Sequence, residues 1–361
     1  MPCFPSRRVL IVLGVTLGLL AAACGSSAST GPAPATTEAV GGTLRVITHD
    51  SFVVSDAVLA QFEAQSGVKV EIVKSGDAGE EVSKAILTKD NPDGDVLYGI
   101  DNNLVSKAYD SGLFDPYESS GLTTVDAAYQ LDDQHRVTPI DHADVCLNYD
   151  VAWFAHKGIA PPQSFDDLIK PEYKGLLVTE NAATSTPGLA FLLATVATYG
   201  QDGWQAYWQQ LKANGVEVVD GWEQAYSTSF SGSAGKGDKP IVVSYGTSPP
   251  AEVLGADPKP AMAPTAVVPT TCFRQIEFAG VLAGAKHVAN AHAFIDFLLS
   301  KAFQEDMPLN MYVEPVNRDA VEPPEFTQYA TVPAEPLSLP PDQISANRDA
   351  WVTEWTKTVL G

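Results

Sequence analysis

Apolar positions fall into three patterns along the 361 residues. Residues 9–20 form one short apolar run, residues 25–42 are rich in Ser, Thr, Ala, Pro and Gly with a single charge at Glu38, and from residue 43 onward short apolar runs alternate with helical spacing. In that last part residues 44–48 read as a buried strand. Ser55 reads as the N-cap of a helix whose Val58, Leu59 and Phe62 share one face until Gly67 stops it. Residues 68–73 give a second strand, 79–87 a helix and 95–98 a third strand. Two strand–helix–strand units in succession imply a parallel sheet, with ligands beyond the carboxyl ends of its strands. The polar turns at those ends are residues 49–52 and 99–103.

A second lobe is expected from near Asp141. Residues 176–179, 216–219 and 241–244 read as its strands, with helices at 188–199 and 204–213. Val288, Ala291, Phe294, Ile295, Leu298, Leu299, Ala302 and Phe303 recur at the spacing of one helix packed back on the first lobe. The Pro-rich stretch 323–341 reads as extended. Residues 345–359 read as a closing helix with Trp351 and Trp355 on one face, as packing residues. The fold class is therefore α/β in two lobes, each a mostly parallel sheet flanked by helices.

The first run is an export address. Arg7 and Arg8, a short apolar segment and Ala21-Ala22-Ala23 make a secretory signal too short to span a bilayer. Cys24 directly after the small residues resembles a bacterial lipoprotein signal, with Ala21 where leucine is usual. The expectation is a signal peptide over 1–23, lipidation at Cys24, a flexible tether over 24–42 and a protein held on the outer face of the cell membrane. Ser6-Arg7-Arg8-Val9-Leu10 also carries a hint of twin-arginine export, so the route is left open.

Charge and cysteines narrow the chemistry. Loss of 1–23 removes two of the 22 basic residues and none of the 44 acidic ones, leaving −24. A surface of that sign gains nothing from a polyanion, so nucleic acid is excluded as a partner. With Cys3 removed and Cys24 lipidated, Cys146 and Cys272 remain in an oxidising space, where a disulfide is the default expectation. Two separate buried thiols are the alternative. No metal is expected, since the six histidines are scattered without ligand spacing. Residues 232–237 have the spacing of a phosphate loop, but Asp238 stands where lysine belongs, so they read as a flexible turn. No nucleophile elbow, dinucleotide fingerprint or paired catalytic carboxylates appear, and neither a cofactor nor catalysis is expected.

Polar and aromatic clusters carry more. Thr184-Ser185-Thr186-Pro187-Gly188 precedes a helix and can present hydroxyls and N–H groups to an oxyanion, although plain N-capping explains it equally. Trp222 and Tyr226 lie four apart after a strand end, Tyr245 and Ser248 follow another, and Tyr312 sits among Asn310, Met311 and Glu314.

Together, residues 48–52 (Thr-His-Asp-Ser-Phe), 99–104 (Gly-Ile-Asp-Asn-Asn-Leu) and 184–189, with Gly221-Trp222 and Ala225-Tyr226, Ser244-Tyr245 and Thr247-Ser248-Pro249, and Trp351 and Trp355, resemble the thiamine-binding periplasmic proteins of ABC importers. The likeness covers nearly the whole chain beyond the tether. It implies the two-lobed type II periplasmic-binding-protein fold, monomeric, with lobe I over 43–140 plus 272–361, lobe II over 141–271 and the ligand cleft between them. It also implies a permease partner and a ligand set. Trp222, Tyr226, Tyr245 and Tyr312 would face the thiazolium cation. Asp50 and Asp101 would balance charge or accept hydrogen bonds from the aminopyrimidine, and His49, Ser51 and Asn102 belong to the same ligand set. Ser185, Thr186 and Ser248 would hold the hydroxyethyl or phosphate end of thiamine or its phosphates. His49 replaces the family's usual tyrosine, and Tyr312 stands where tryptophan is common. Cys146 and Cys272 would lie beside the two interlobe crossings and restrain the hinge. A polyamine or other cation on the same fold is the nearest alternative, and a thiamine-processing enzyme the different-class one. The enzyme needs a free cleft cysteine, which the disulfide would remove. Ferric iron wants adjacent tyrosines, which this chain lacks.

Overall fold

The computed structural model describes residues 40–233 and 237–361. The expected leader 1–23, Cys24, nearly all of the tether and the middle of the 232–237 turn lie outside them. In chain order, β1 (Gly42–Thr48), β2 (Val68–Lys74), β3 (Val96–Asp101), β4 (Phe114–Asp115) and β5 (Thr138–His142) build a first sheet. The chain then crosses into a second, built from β6 (Val145–Asp150), β7 (Leu177–Glu180), β8 (Glu217–Val219), β9 (Ile241–Tyr245) and β10 (Thr265–Phe273). It returns with β11 (Ile276–Leu282) and β12 (Glu314–Pro315).

The first sheet runs β12-β5-β11-β3-β1-β2 with β4 beside β11, and the second β10-β6-β9-β7-β8. Both are mixed where mostly parallel sheets were expected. The strand–helix–strand units do pair in parallel, β1 with β2 and β3, and β7 with β8 and β9. The strands next to the crossings run antiparallel instead, β11 against β3 and β5, and β6 against β9 and β10. A return into an existing sheet without a crossover helix leaves the antiparallel ladder as its short route. The chain leaves the first sheet after His142 and re-enters it at Ile276.

Local signals account for the elements. Ser55 accepts the Val58 N–H at 3.3 Å and Gly67 closes the helix Asp56–Ser66 in the left-handed region, a cap pair in which the serine alone contributes about 1 kcal/mol. Every residue of β3 and β11 is buried, as covered central strands require. Phe62 packs on Phe294 and Phe297 beneath β1 and β2.

Three expectations are corrected. The single late helix is two, Val288–Leu298 and Lys301–Asn310, because Ser300 turns out of the first and caps the second through Phe303 N–H. The Pro-rich stretch is extended only in part, since Pro324 opens a short helix, Pro324–Tyr329, that buries Phe326. The closing helix begins earlier, at Pro341, and makes contacts in both lobes. Trp355 meets Trp208 edge to face at 5.5 Å in the second lobe, whereas the Arg348 guanidinium donates to Asn103 O and Ser106 Oγ in the first.

Cys146 and Cys272 are bonded, with Cα atoms 4.1 Å apart across β6 and β10. They close a loop of 126 residues next to both crossings, and a loop of that size makes the bond worth on the order of 2–5 kcal/mol. Replacing both cysteines by alanine is expected to lower the urea midpoint correspondingly, read by circular dichroism against the oxidised parent.

Candidate binding cleft

The strand ends of the two sheets face one another across a cavity of about 610 Å³. From the first lobe come His49, Asp50 and Ser51 after β1, and Asp77 at the start of the helix Ala78–Leu87. The second lobe supplies Thr186 in the first turn of the helix Thr186–Tyr199, Trp222 and Tyr226 after β8, and Tyr245 and Ser248 around the end of β9. Tyr312 closes one side with φ of 57°, a left-handed conformation uncommon for a bulky residue. The structure thus gathers nine of the twelve expected ligand residues.

Asp101, Asn102 and Ser185 do not line this cavity. The Asp101 carboxylate turns inward and accepts from Asn103 N–H, Leu104 N–H and Asn103 Nδ2, all near 3.0 Å; burial nevertheless lifts its carboxyl to about 7. Asn102 receives Ile276 N–H at 2.7 Å and donates to Arg274 O, tying down the second crossing. Ser185 is the buried N-cap residue before Thr186.

The aromatic wall is a stack. The Trp222 and Tyr226 rings lie 5.0 Å apart at 11°, and Tyr245 tilts against Trp222 at 6.1 Å. Trp222 Nε1 donates to Ser244 Oγ at 2.9 Å, and Ser244 is linked to Ser248 at 2.8 Å, so Ser248 positions the wall. Residues Ala225–Ser229 form a π-helical turn, a widened turn that is common at functional sites.

Asp77, missed in the sequence, latches the lobes. Its Oδ1 accepts Thr186 N–H at 3.2 Å and its Oδ2 accepts Trp222 N–H at 3.0 Å. Beside it Glu80 N–H donates to Thr184 O at 2.9 Å, and Ser51 Oγ to Glu223 at 3.0 Å. Gly79 permits this approach, since a Cβ there would stand 2.6 Å from Thr184 O.

The lining carries eight carboxylates, and among the described residues no lysine or arginine joins them. Burial alone would depress His49, but Glu277, 3.6 Å away, with Asp77 and Asp141 behind it, outweighs burial and holds the imidazole above its usual range. Burial pushes Asp77 up despite the Trp222 N–H and His49. Asp141, which accepts the Tyr98 hydroxyl, is driven well up by burial and the Glu277 charge. Glu277 and Asp141 lie inside the crossing strands β11 and β5, where sequence reading sees only sheet. Gly99, at φ of 125°, admits the His49 ring where a Cβ would be 2.7 Å from it.

Next to Asp141, His142 is buried, stacked on Tyr129 and hydrogen-bonded to its hydroxyl at 2.9 Å. Burial, then Arg274, lowers it from 6.5 to about 4. Its neutral form is favoured in the fold, so the stability it lends is complete above 6.5 and is lost as pH falls toward about 4. Unfolding free energies from urea titrations at descending pH should fall in that window by at most about 1.4 kcal/mol per pH unit from this group. His142→Gln should flatten the slope; an unchanged slope would contradict the assignment.

Residues 91–333 match the family described as bacterial extracellular solute-binding protein. The thiamine-binding periplasmic protein of Escherichia coli K12 is 31% identical over 325 residues, 88% of this chain and 93% of that protein. Its counterpart from Salmonella typhimurium LT2 is 31% identical over 324 residues, 88% of this chain and 93% of that protein. A solved periplasmic thiamin binding protein superposes with a TM-score of 0.76 at 29% identity, covering 88% of this chain and 96% of that one.

Proposed function

This chain belongs to the bacterial extracellular solute-binding proteins, in the family of the thiamine-binding periplasmic proteins, and from that premise we propose that it captures thiamine between its lobes and delivers it to an ABC permease. The observation that carries the reading is the aromatic stack set in a lining of eight carboxylates without lysine or arginine among the described residues. Thiamine has a permanent thiazolium charge, and each aromatic face attracts a desolvated cation by roughly 0.5–2 kcal/mol. The carboxylates add attraction of the same sign, and Asp50 offers an acceptor for the aminopyrimidine.

His49, Asp50, Ser51, Thr186, Trp222, Tyr226, Tyr245, Ser248 and Tyr312 form the proposed ligand set, with Asp77 as the latch that closes over the ligand. The 143–144 and 274–275 crossings act as the hinge between lobe I, built on the first sheet, and lobe II, built on the second, restrained by Cys146–Cys272. The chain is exported, lipid-anchored through Cys24 on the tether 24–42, and works as a monomer. Binding rather than catalysis is its role: its relatives are named as binding proteins, and both described cysteines are held in the disulfide.

Calorimetry with thiamine, its mono- and diphosphate and spermidine tests this directly. Thiamine should bind, and Trp222→Ala should weaken it roughly 10- to 30-fold, about 1.4–2 kcal/mol. Binding of spermidine with none of thiamine would replace thiamine by a polyamine as the cargo.

A further inference from the structure

Glu252 occupies an unusual place among the lining carboxylates. Most of the others are engaged away from the aromatic rings: Asp50 accepts Gly76 N–H, Asp77 bridges the lobes, Glu80 pairs with Lys84, and Glu223 takes Ser51 and Ser227. Glu252 is the one bonded to a ring of the wall. The Tyr226 hydroxyl donates to its Oε1 at 2.8 Å, leaving Oε2 without a protein partner among the described residues. Its helix, Ser248–Leu254, starts at the foot of the wall and ends at Gly255, where a Cβ would lie 3.4 Å from the Tyr312 hydroxyl. Glu252 therefore stands between the Trp222–Tyr226 stack and Tyr312, and all four line the same cavity.

We propose that Glu252 is the counter-ion that makes this cleft select a permanent organic cation over a neutral molecule of the same shape, a role that rests on reading the cleft as a thiamine site. Aromatic faces attract a cation through their quadrupoles but also stack on neutral rings, so the aromatic wall alone discriminates weakly. A carboxylate set among those rings adds a term that only the charged ligand feels, and it acts at short range in a site from which water is displaced. Burial pushes the Glu252 carboxyl up, opposed by the Tyr226 hydroxyl; a cation seated beside it favours the ionised form. The alternative role, a strut that merely orients Tyr226, is separable by experiment. Glutamine at this position keeps an acceptor for the Tyr226 hydroxyl and loses only the charge.

The test is calorimetry of the exported protein and its Glu252→Gln variant with two ligands, thiamine and its neutral isostere carrying thiophene in place of thiazolium. The parent should prefer thiamine by ~10-fold or more. In E252Q thiamine affinity should drop by about that factor while the neutral isostere is unchanged, so that the preference collapses. Equal losses for both ligands would make Glu252 a strut and overturn the proposal, as would an unchanged preference or a parent that binds both ligands alike. If the parent binds neither ligand, the thiamine reading fails, and this inference with it. Should E252Q fail to fold by circular dichroism, Glu252→Asp serves in its place. It keeps the charge but withdraws it by one methylene, and the preference must then shrink through thiamine alone.

Discussion

One buried carboxylate joins the two halves of this protein. Asp77 belongs to the first lobe, yet the backbone donors that satisfy it, Thr186 N–H and Trp222 N–H, belong to the second. A buried carboxylate without donors is costly, and so are buried N–H groups without an acceptor. Each lobe thus holds half of a polar arrangement that is complete only when the two meet. The neighbouring contacts follow from that meeting: Gly79 lets backbone touch backbone, Glu80 N–H reaches Thr184 O, and Ser51 reaches Glu223. Because Trp222 is one of the two donors, the latch also fixes the residue on which Tyr226 and Tyr245 rest.

What could be seen in the sequence were the features written in short-range chemistry. Ser55 and Gly67 bracket a helix because cap and stop act within a few residues, and the turns after β1, β8 and β9 reach the cleft because strand ends of an α/β sheet point there. The same rule fails at Asp101 and Asn102. An acid after a strand can face a ligand or fold back on the next two N–H groups, and residue type alone does not separate the two. Asp77 escaped for the opposite reason, since its partners lie 109 and 145 residues away. Glu277 and Asp141 look like strand interior until the crossing strands carry them under the cleft.

The closing helix shows how a local reading can be right about packing and wrong about address. Trp351 and Trp355 were expected to be core, and both are buried. Their partners are Gln201 and Trp208 of the second lobe, while Arg348, on the same helix, holds backbone and side chain of the first. This helix therefore touches both lobes, whereas the disulfide joins two strands of the second sheet beside the crossings.

Trp222 is the one tryptophan of six that lines the cavity. Trp204, Trp208, Trp351 and Trp355 are enclosed in the core, and Trp153 sits under Lys157 of its own helix, Val151–Lys157. The Trp222 ring stacks on Tyr226 and its N–H is held by Ser244, so a ligand entering the proposed site would change its surroundings. The molecule therefore has a built-in optical probe: the emission of Trp222, set against five tryptophans outside the cavity, would report occupancy of the proposed site without any label.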